Sequence, residues 1–455
     1  MQSMFDVRER PNLVQRALLV GIYQEKAEEA EALDLIEELR ELVSTLGIGI
    51  VGSLTARVQK TNARYLTGTG KAKEIMDHAK ELQADCIIFD NEISPMQQRA
   101  WEEDSGIAVI DRHEIILDIF DRRARSKEAR LQVDLARMAY SIPRLKRMWG
   151  HLDRQGGGGG SGGGGASRGE GETQLEVDRR LARERIGRLR DELAEVRKQR
   201  ATQRKERIKD GLPHLAIVGY TNAGKSTLLN RLTGADVLAE DKLFATLDTT
   251  TRRFELPDGQ QALLTDSVGF IRRLPHDLVE SFKATLEEAL LADFLLHVLD
   301  ASDPRVYRFY ETTLSVLQEL GAGEKRSLVV LNKVDKITDP AWRAQLERHF
   351  DQAVLVSAET GEGLDHLMAK INEMLYDRVE RLTLRVPMAR ADVLALIHRE
   401  GKIISTEYEG NDAVVQAILP KRFLLKVEGF RIAEAAPVPA APAAKPKPPR
   451  KTTRP

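Results

Sequence analysis

Cysteine is almost absent from these 455 residues: Cys86 stands alone. That excludes a disulfide framework and a cysteine-based zinc site. The thiol lies inside the apolar stretch Cys86-Ile87-Ile88-Phe89, where it is expected to act as a small buried hydrophobe. No apolar run approaches the roughly 18 residues of a membrane-spanning helix. The opening Met1-Gln2-Ser3-Met4-Phe5-Asp6 has no signal-peptide pattern. The nine histidines include no H-E-x-x-H pair, so a metalloprotease is not indicated. The expectation is a soluble, cytoplasmic chain with no membrane span, long enough for about two to four domains with real cores.

Net charge is also nearly absent, at −1, but the charges are segregated. Between Arg179 and Lys209 thirteen Lys/Arg face five Asp/Glu, and between Asp121 and Arg147 nine face three. The Pro- and Ala-rich tail after Glu434 carries five basic residues and no acidic one. The remainder must therefore be strongly acidic. Such a division is the electrostatic footprint of contact with a polyanion, nucleic acid above all.

What is present in full is a phosphate loop. Gly219-Tyr220-Thr221-Asn222-Ala223-Gly224-Lys225-Ser226 reads G-x-x-x-x-G-K-[ST], and Thr227 follows it. The apolar Leu215-Ala216-Ile217-Val218 before it predicts a buried strand, and Ser226 to Leu232 after it predicts a helix stopped by Gly234. Two glycines let backbone N–H groups converge on phosphates at a helix N-terminus. Lys225 can reach the β- and γ-phosphates, and the Ser226 hydroxyl can ligate Mg²⁺.

The base is read downstream. Asn332-Lys333-Val334-Asp335 follows the apolar run Leu328-Val329-Val330-Leu331. The Asp335 carboxylate can accept from N1–H and the exocyclic amine of guanine, a donor pair that adenine lacks. Asn332 would brace the phosphate loop, and the Lys333 stem would cover the face of the base. Ser357-Ala358-Glu359, after Val354-Leu355-Val356, places the Ala358 N–H as a donor to guanine O6. The nucleotides implied are GTP and GDP.

Between these motifs lie candidate hydrolysis groups. Asp266-Ser267-Val268-Gly269 ends a predicted strand; Asp266 can hold Mg²⁺ through water and the Gly269 N–H can sense the γ-phosphate. In Phe244-Ala245-Thr246-Leu247-Asp248, Thr246 is the candidate switch threonine on Mg²⁺, with Thr249, Thr250 and Thr251 as competitors. Lys225, Thr246 and Gly269 are the expected catalytic groups, and Ser226, Thr246 and Asp266 the expected metal ligands. Phe270 stands where many GTPases place a water-orienting Gln. Either another group or a partner orients the water, and the phenyl ring is otherwise a core aromatic.

The rest organises around this domain. Strand patterns at Ala17 to Tyr23, Ile48 to Val58 and Asp85 to Asp90 alternate with helical patterns at Ala27 to Leu46 and Lys71 to Leu82. They predict a small parallel α/β domain over 15–120. Gly68-Thr69-Gly70-Lys71 resembles a phosphate-loop fragment but lacks the upstream glycine and the Ser/Thr, so it is assigned no nucleotide. Over 121–210, Leu131, Leu135, Met138, Ile142 and Leu145 on one side, and Ile186, Leu189, Leu193 and Val196 on the other, recur at helical spacing around the glycine-rich 156–165. This predicts a basic antiparallel helical hairpin with the glycine loop at its tip. A second helix of about 30 residues would reach ~45 Å. A GTPase domain is expected over 211–377, a small α+β domain over 378–433, and a disordered tail over 434–455.

Arg168-Gly169-Glu170-Gly171-Glu172-Thr173-Gln174-Leu175-Glu176 with Arg179-Arg180, together with GYTNAGKSTL, LFATLD and DSVGF, resembles the signature of the HflX family. This is a branch of the translation-related Obg–HflX GTPases. The resemblance runs over roughly residues 15 to 430. It implies an N-terminal α/β module with a helical arm, a GTPase domain, and binding to the large ribosomal subunit through ribosomal RNA. It further implies splitting of stalled or idle ribosomes, with the glycine loop reaching toward the peptidyl-transferase region. Phe270 resembles the hydrophobic replacement of the catalytic Gln in this group. Departures are Thr249 where Pro is usual and Gly169-Glu170-Gly171 where Gly-Pro-Gly is common. A monomeric, ribosome-stimulated GTPase is one reading. A GTP-switched ribosomal RNA-binding assembly factor or RNA chaperone is the other. No added catalytic domain supports a tRNA-modifying enzyme, and no GXXG segment of KH type follows the GTPase domain.

Overall fold

The computed structural model describes residues 14–144, 167–209, 212–235, 243–244, 246–273, 288, 290–376 and 379–432. They form two compact units, the second taking Leu256–Gln260 and the residues from Met368 onward.

The first unit opens with β1 (Arg16–Tyr23), α1 (Glu29–Thr45), β2 (Gly49–Arg57), α2 (Thr69–Glu81), β3 (Cys86–Phe89), α3 (Pro95–Ser105), β4 (Ala108–Asp111) and α4 (Arg112–Arg123). Its sheet is parallel throughout, in the order β2-β1-β3-β4. Alternation along β1 assigns its two faces. Ala17 and Leu19 enter one core with Leu39 and Leu42 of α1 and Ile116 and Phe120 of α4. Leu18, Val20 and Ile22 enter another with Ile75 and Met76 of α2 and Trp101 of α3. A sheet covered on both faces needs strands that are apolar throughout, and Cys86 is accordingly fully buried. The fourth strand was not visible in the sequence: four residues between two helices show no period. The expected helix at Ala27 instead begins as a 3-10 turn, Lys26–Glu28, before α1.

Next come α5 (Lys127–Ser141) and α6 (Ser167–Lys209). Leu131 packs against Leu189 and Leu193, flanked by Leu135, Met138 and Val196. Glu128 at the start of α5 pairs with Arg200 late in α6 at 2.8 Å, so the helices run antiparallel. The 43 residues of α6 give a length of ~65 Å at ~1.5 Å rise, longer than the spacing predicted. Gly169 and Gly171 lie within it, although a glycine inside a helix costs about 1 kcal/mol relative to alanine. Leu145 and the glycine run 156–165 fall outside the described residues. The end of α5 is fastened to the N-terminal sheet: Tyr140 donates to Asp111 at 3.0 Å, and Arg144 donates to the Ile93 carbonyl at 2.9 Å.

The unit continues with β5 (His214–Gly219), α7 (Lys225–Thr233), β6 (Thr250–Glu255), β7 (Gln261–Asp266), β8 (Phe294–Asp300), α8 (Val306–Glu319), β9 (Ser327–Asn332), α9 (Pro340–His349) and β10 (Val354–Leu355), and the boundary between the units falls within α10 (Leu364–Tyr376). Sheet order is β10-β9-β8-β5-β7-β6, parallel except where β6 meets β7. Site loops therefore leave the carboxyl ends of β5, β7, β8 and β9 together. The α1/α4 core runs without a break into this sheet through Tyr220, Leu243, Phe244, Phe270 and Phe309. The second unit holds β11 (Val379–Pro387), α11 (Ala391–Glu400), β12 (Lys402–Glu409) and β13 (Asp412–Pro420). It is an antiparallel β11-β13-β12 sheet covered by Val393 and Ile397 of α11. The described residues are thus mixed α/β and include a mostly parallel phosphate-loop sheet, as the sequence indicates.

Candidate nucleotide-binding site

Two glycines make the loop after β5 possible. Gly219 has φ +146°, and a Cβ there would lie 2.1 Å from the Val298 carbonyl oxygen; Gly224 has φ +86°, and a Cβ there would lie 2.3 Å from Asn332 Nδ2. Neither position admits a side chain. The loop so curled delivers Lys225 to the first turn of α7, where it is buried and donates to the Tyr220 carbonyl at 2.7 Å. Burial lowers its ammonium to about 8, opposed by the nearby Asp266 carboxylate. An anionic phosphate beside it favours the charged form.

Three oxygen donors meet at one end of this loop. Ser226 Oγ lies 2.6 Å from Asp266 Oδ2 and 2.6 Å from Thr246 Oγ1. Asp266 is fully buried, burial raises its pKa, and its Oδ1 has no hydrogen-bond partner. A hydroxyl pair and a carboxylate with an orphaned oxygen suit a small hard cation such as Mg²⁺. Among the rival threonines, Thr250 and Thr251 belong to β6, where Thr251 bonds Thr265 at 2.8 Å.

Gly269 approaches the loop closely, for a Cβ there would lie 2.8 Å from Lys225 Nζ. Phe270 is a core residue, 2 % exposed. Its backbone extends the sheet: Phe270 N–H donates to the Gly219 carbonyl at 3.0 Å and its carbonyl accepts from Thr221 N–H at 2.8 Å.

On the base side, Asn332 Nδ2 donates to the Ala223 carbonyl at 2.9 Å and its Oδ1 accepts from Ala358 N–H at 3.0 Å. The Ala358 N–H, expected on guanine O6, is thus engaged by Asn332. Lys333 takes φ +63° and pairs with Asp300 at 2.8 Å. Asp335 is exposed at the cleft.

A cleft of about 480 Å³ gathers most of the expected residues: Thr221, Asn222, Gly224, Lys225, Ser226, Thr227, Phe244, Thr246, Ser267, Gly269, Asn332, Lys333, Asp335, Ala358 and Glu359. Lys336 joins them; its position one residue past the base-reading motif was the only signal for it. Others support the wall from behind. Ala223, Leu247, Val268, Val334 and Ser357 are buried, Gly219 closes against β8, and Ala245 lies outside the described residues. Two depart altogether from the cleft. The Tyr220 hydroxyl donates to Glu38 Oε2 at 2.6 Å and accepts from Arg272 N–H at 2.9 Å, while its ring stacks on Phe309. The Asp248 carboxylate faces Arg125 and Ser126 at the root of α5.

Glu38 and Asp90 of the N-terminal sheet domain form a buried charge cluster with the segment after Gly269. Arg112 pairs with both carboxylates, Arg272 with Glu38 at 3.1 Å, and Arg273 with Asp90 at 2.9 Å. No pattern in the sequence announced these partners.

Three family models match the chain in succession: "GTP-binding GTPase N-terminal" over 34–121, "GTP-binding GTPase Middle Region" over 123–207, and "50S ribosome-binding GTPase" over 214–333. The GTPase HflX of Akkermansia muciniphila is 55% identical over 433 residues, 94% of this chain and 99% of that one. That of Chlamydia pneumoniae is 43% identical over 431 residues, 94% and 90% of the two chains. The Escherichia coli protein is 45% identical over 385 residues, 84% and 88%. Similarity of this depth, over most of both chains and including the phosphate loop, means that the chain belongs to the HflX family and is a GTP hydrolase.

Proposed function

We propose that this GTPase binds the large ribosomal subunit through its basic arm and couples GTP binding and hydrolysis to ribosome splitting or rescue. The observation that carries the reading is the arm itself. On α6, Arg180, Arg183, Arg185, Arg188, Arg190 and Lys198 are all exposed, while Leu189 and Leu193 hold the helix to α5. An apolar seam with cations around the remaining surface suits phosphate backbones. The "50S ribosome-binding GTPase" description of the model matching 214–333 points the same way. GTP-dependent loss of whole ribosomes on sucrose gradients is the expected result. Deletion of Gly156 to Gly165 should weaken that loss while leaving nucleotide affinity intact, since the segment is far in sequence from every nucleotide motif. Gradients unchanged by the intact chain and GTP would favour the assembly-factor reading.

Mg²⁺ would be held by Ser226, Thr246 and Asp266 together with nucleotide oxygens, where it would neutralise charge on the phosphates. Base choice would rest on Asp335. Asp335→Asn replaces one acceptor by a donor, so guanine loses about 1–3 kcal/mol per mismatched hydrogen bond, whereas xanthine, with a carbonyl in place of the amine, gains a match. Competition between GTP and xanthosine triphosphate should shift accordingly. A variant that keeps strict GTP preference would show that another group reads the base.

A further inference from the structure

We propose that Asp248 is a positioning residue that fastens the segment carrying Thr246 to the first turn of α5, so that the nucleotide and the root of the arm respond to one another. The proposal goes beyond the ribosomal reading and requires no ribosome.

Three donors converge on this one carboxylate. Asp248 Oδ2 accepts from Arg125 N–H at 2.9 Å and Ser126 N–H at 3.0 Å. The Ser126 hydroxyl donates to Oδ1. The same hydroxyl oxygen accepts from Ala129 N–H at 3.1 Å, which makes Ser126 the N-cap of α5. An anion is thereby seated at the positive end of a 15-residue helix and bonded to the residue that caps it. Two residues upstream, Thr246 meets Ser226 of the phosphate loop at 2.6 Å. Two linked residues span at most ~7 Å, so Thr246 cannot travel far while Asp248 stays bound.

The neighbouring packing points the same way. Phe244 is buried against Phe120 of α4, edge to face, with ring centroids 4.7 Å apart. It takes φ +55°, a left-handed conformation that a bulky residue keeps only where its surroundings over-determine it. Because Tyr140 and Arg144 hold the far end of α5, a loosened first turn frees one end of the helix alone. Glu128 carries that change to Arg200 on α6.

Hydrogen–deuterium exchange on the full chain, with GDP and with a non-hydrolysable GTP analogue, tests the link. In the wild type, amides 127–130 should differ between the two nucleotide states by roughly 2–30-fold, the range that loss of an N-cap produces. Residues 246–248 should change in step. Asp248→Ala should abolish the nucleotide difference at 127–130. Coupling is reciprocal, so Ser126→Ala should shrink the response at 246–248, and Ser126→Thr, which keeps the hydroxyl, should restore it. A purely structural role would speed exchange equally in both states while preserving the ratio, and that outcome overturns the proposal. So does a wild type whose α5 amides ignore the nucleotide. Neither result touches the ribosomal reading, which is decided on gradients.

Discussion

Large ribosomal subunits are expected to raise GTP turnover by this chain steeply, up to the order of 10³–10⁵-fold if they supply a missing catalytic group in trans. The reasoning starts at Phe270. Its ring is buried and its backbone is tied to Gly219 and Thr221, so no side chain at that position can orient an attacking water. Turnover by the isolated chain should therefore be slow. A surface that orders Thr246 and the water would remove that defect. Because exposed arginines on α6 would dock by releasing counterions, the stimulation should fall steeply as salt rises. Turnover measured with and without subunits, at low and high salt, decides the matter. Equal rates in all four conditions would refute the coupled-enzyme reading.

Lys225→Ala should lower GTP and GDP affinity by about 10²–10³-fold or more, corresponding to the loss of about 3–5 kcal/mol when one partner of a buried charge pair is removed. Lys225 is a cation within the phosphate loop, buried and aimed by the Tyr220 carbonyl. Without it the fully buried Asp266 carboxylate would face the phosphates with one counter-charge fewer. Titration calorimetry measures the change directly, and unchanged affinity would sink the assignment of the phosphate loop.

Much of the cleft was legible because each part is written in a few adjacent residues. GYTNAGKS, DSVGF and NKVD declare themselves by spacing, since a loop that curls around phosphate needs its glycines at fixed separations. Strands β1, β3 and β5 were legible because burial on both faces demands an unbroken apolar run. What stayed hidden depends on distant partners. Asp248 sits among nucleotide-motif residues, yet its ligands are Arg125 and Ser126. Tyr220 lies inside the phosphate-loop motif and bonds Glu38, 182 residues away. The extra length of α6 stayed hidden because Ser167 to Glu176 carries two glycines and Leu175 as its one apolar side chain, so no helical period marks it. The acceptor that Asn332 offers to the Ala358 N–H was equally invisible in the sequence.

The core shared by α1, α4 and the GTPase sheet bears on how such a chain can be cut or recombined. A fragment beginning near His214 would bare Tyr220, Leu243, Phe244, Phe270 and Phe309, which now lie in one cluster with Leu39, Leu42 and Phe120. It would also strip Arg272 of Glu38 and leave Arg112, in the other fragment, without the Arg272 carbonyl it bonds at 3.2 Å. Apolar surface of that kind drives association rather than independent folding. The two halves therefore belong together physically: removing the Tyr220 hydroxyl or the Arg272 guanidinium would leave buried Glu38 short of a partner, and a GTPase sheet borrowed from elsewhere would arrive without the face this N-terminal domain covers.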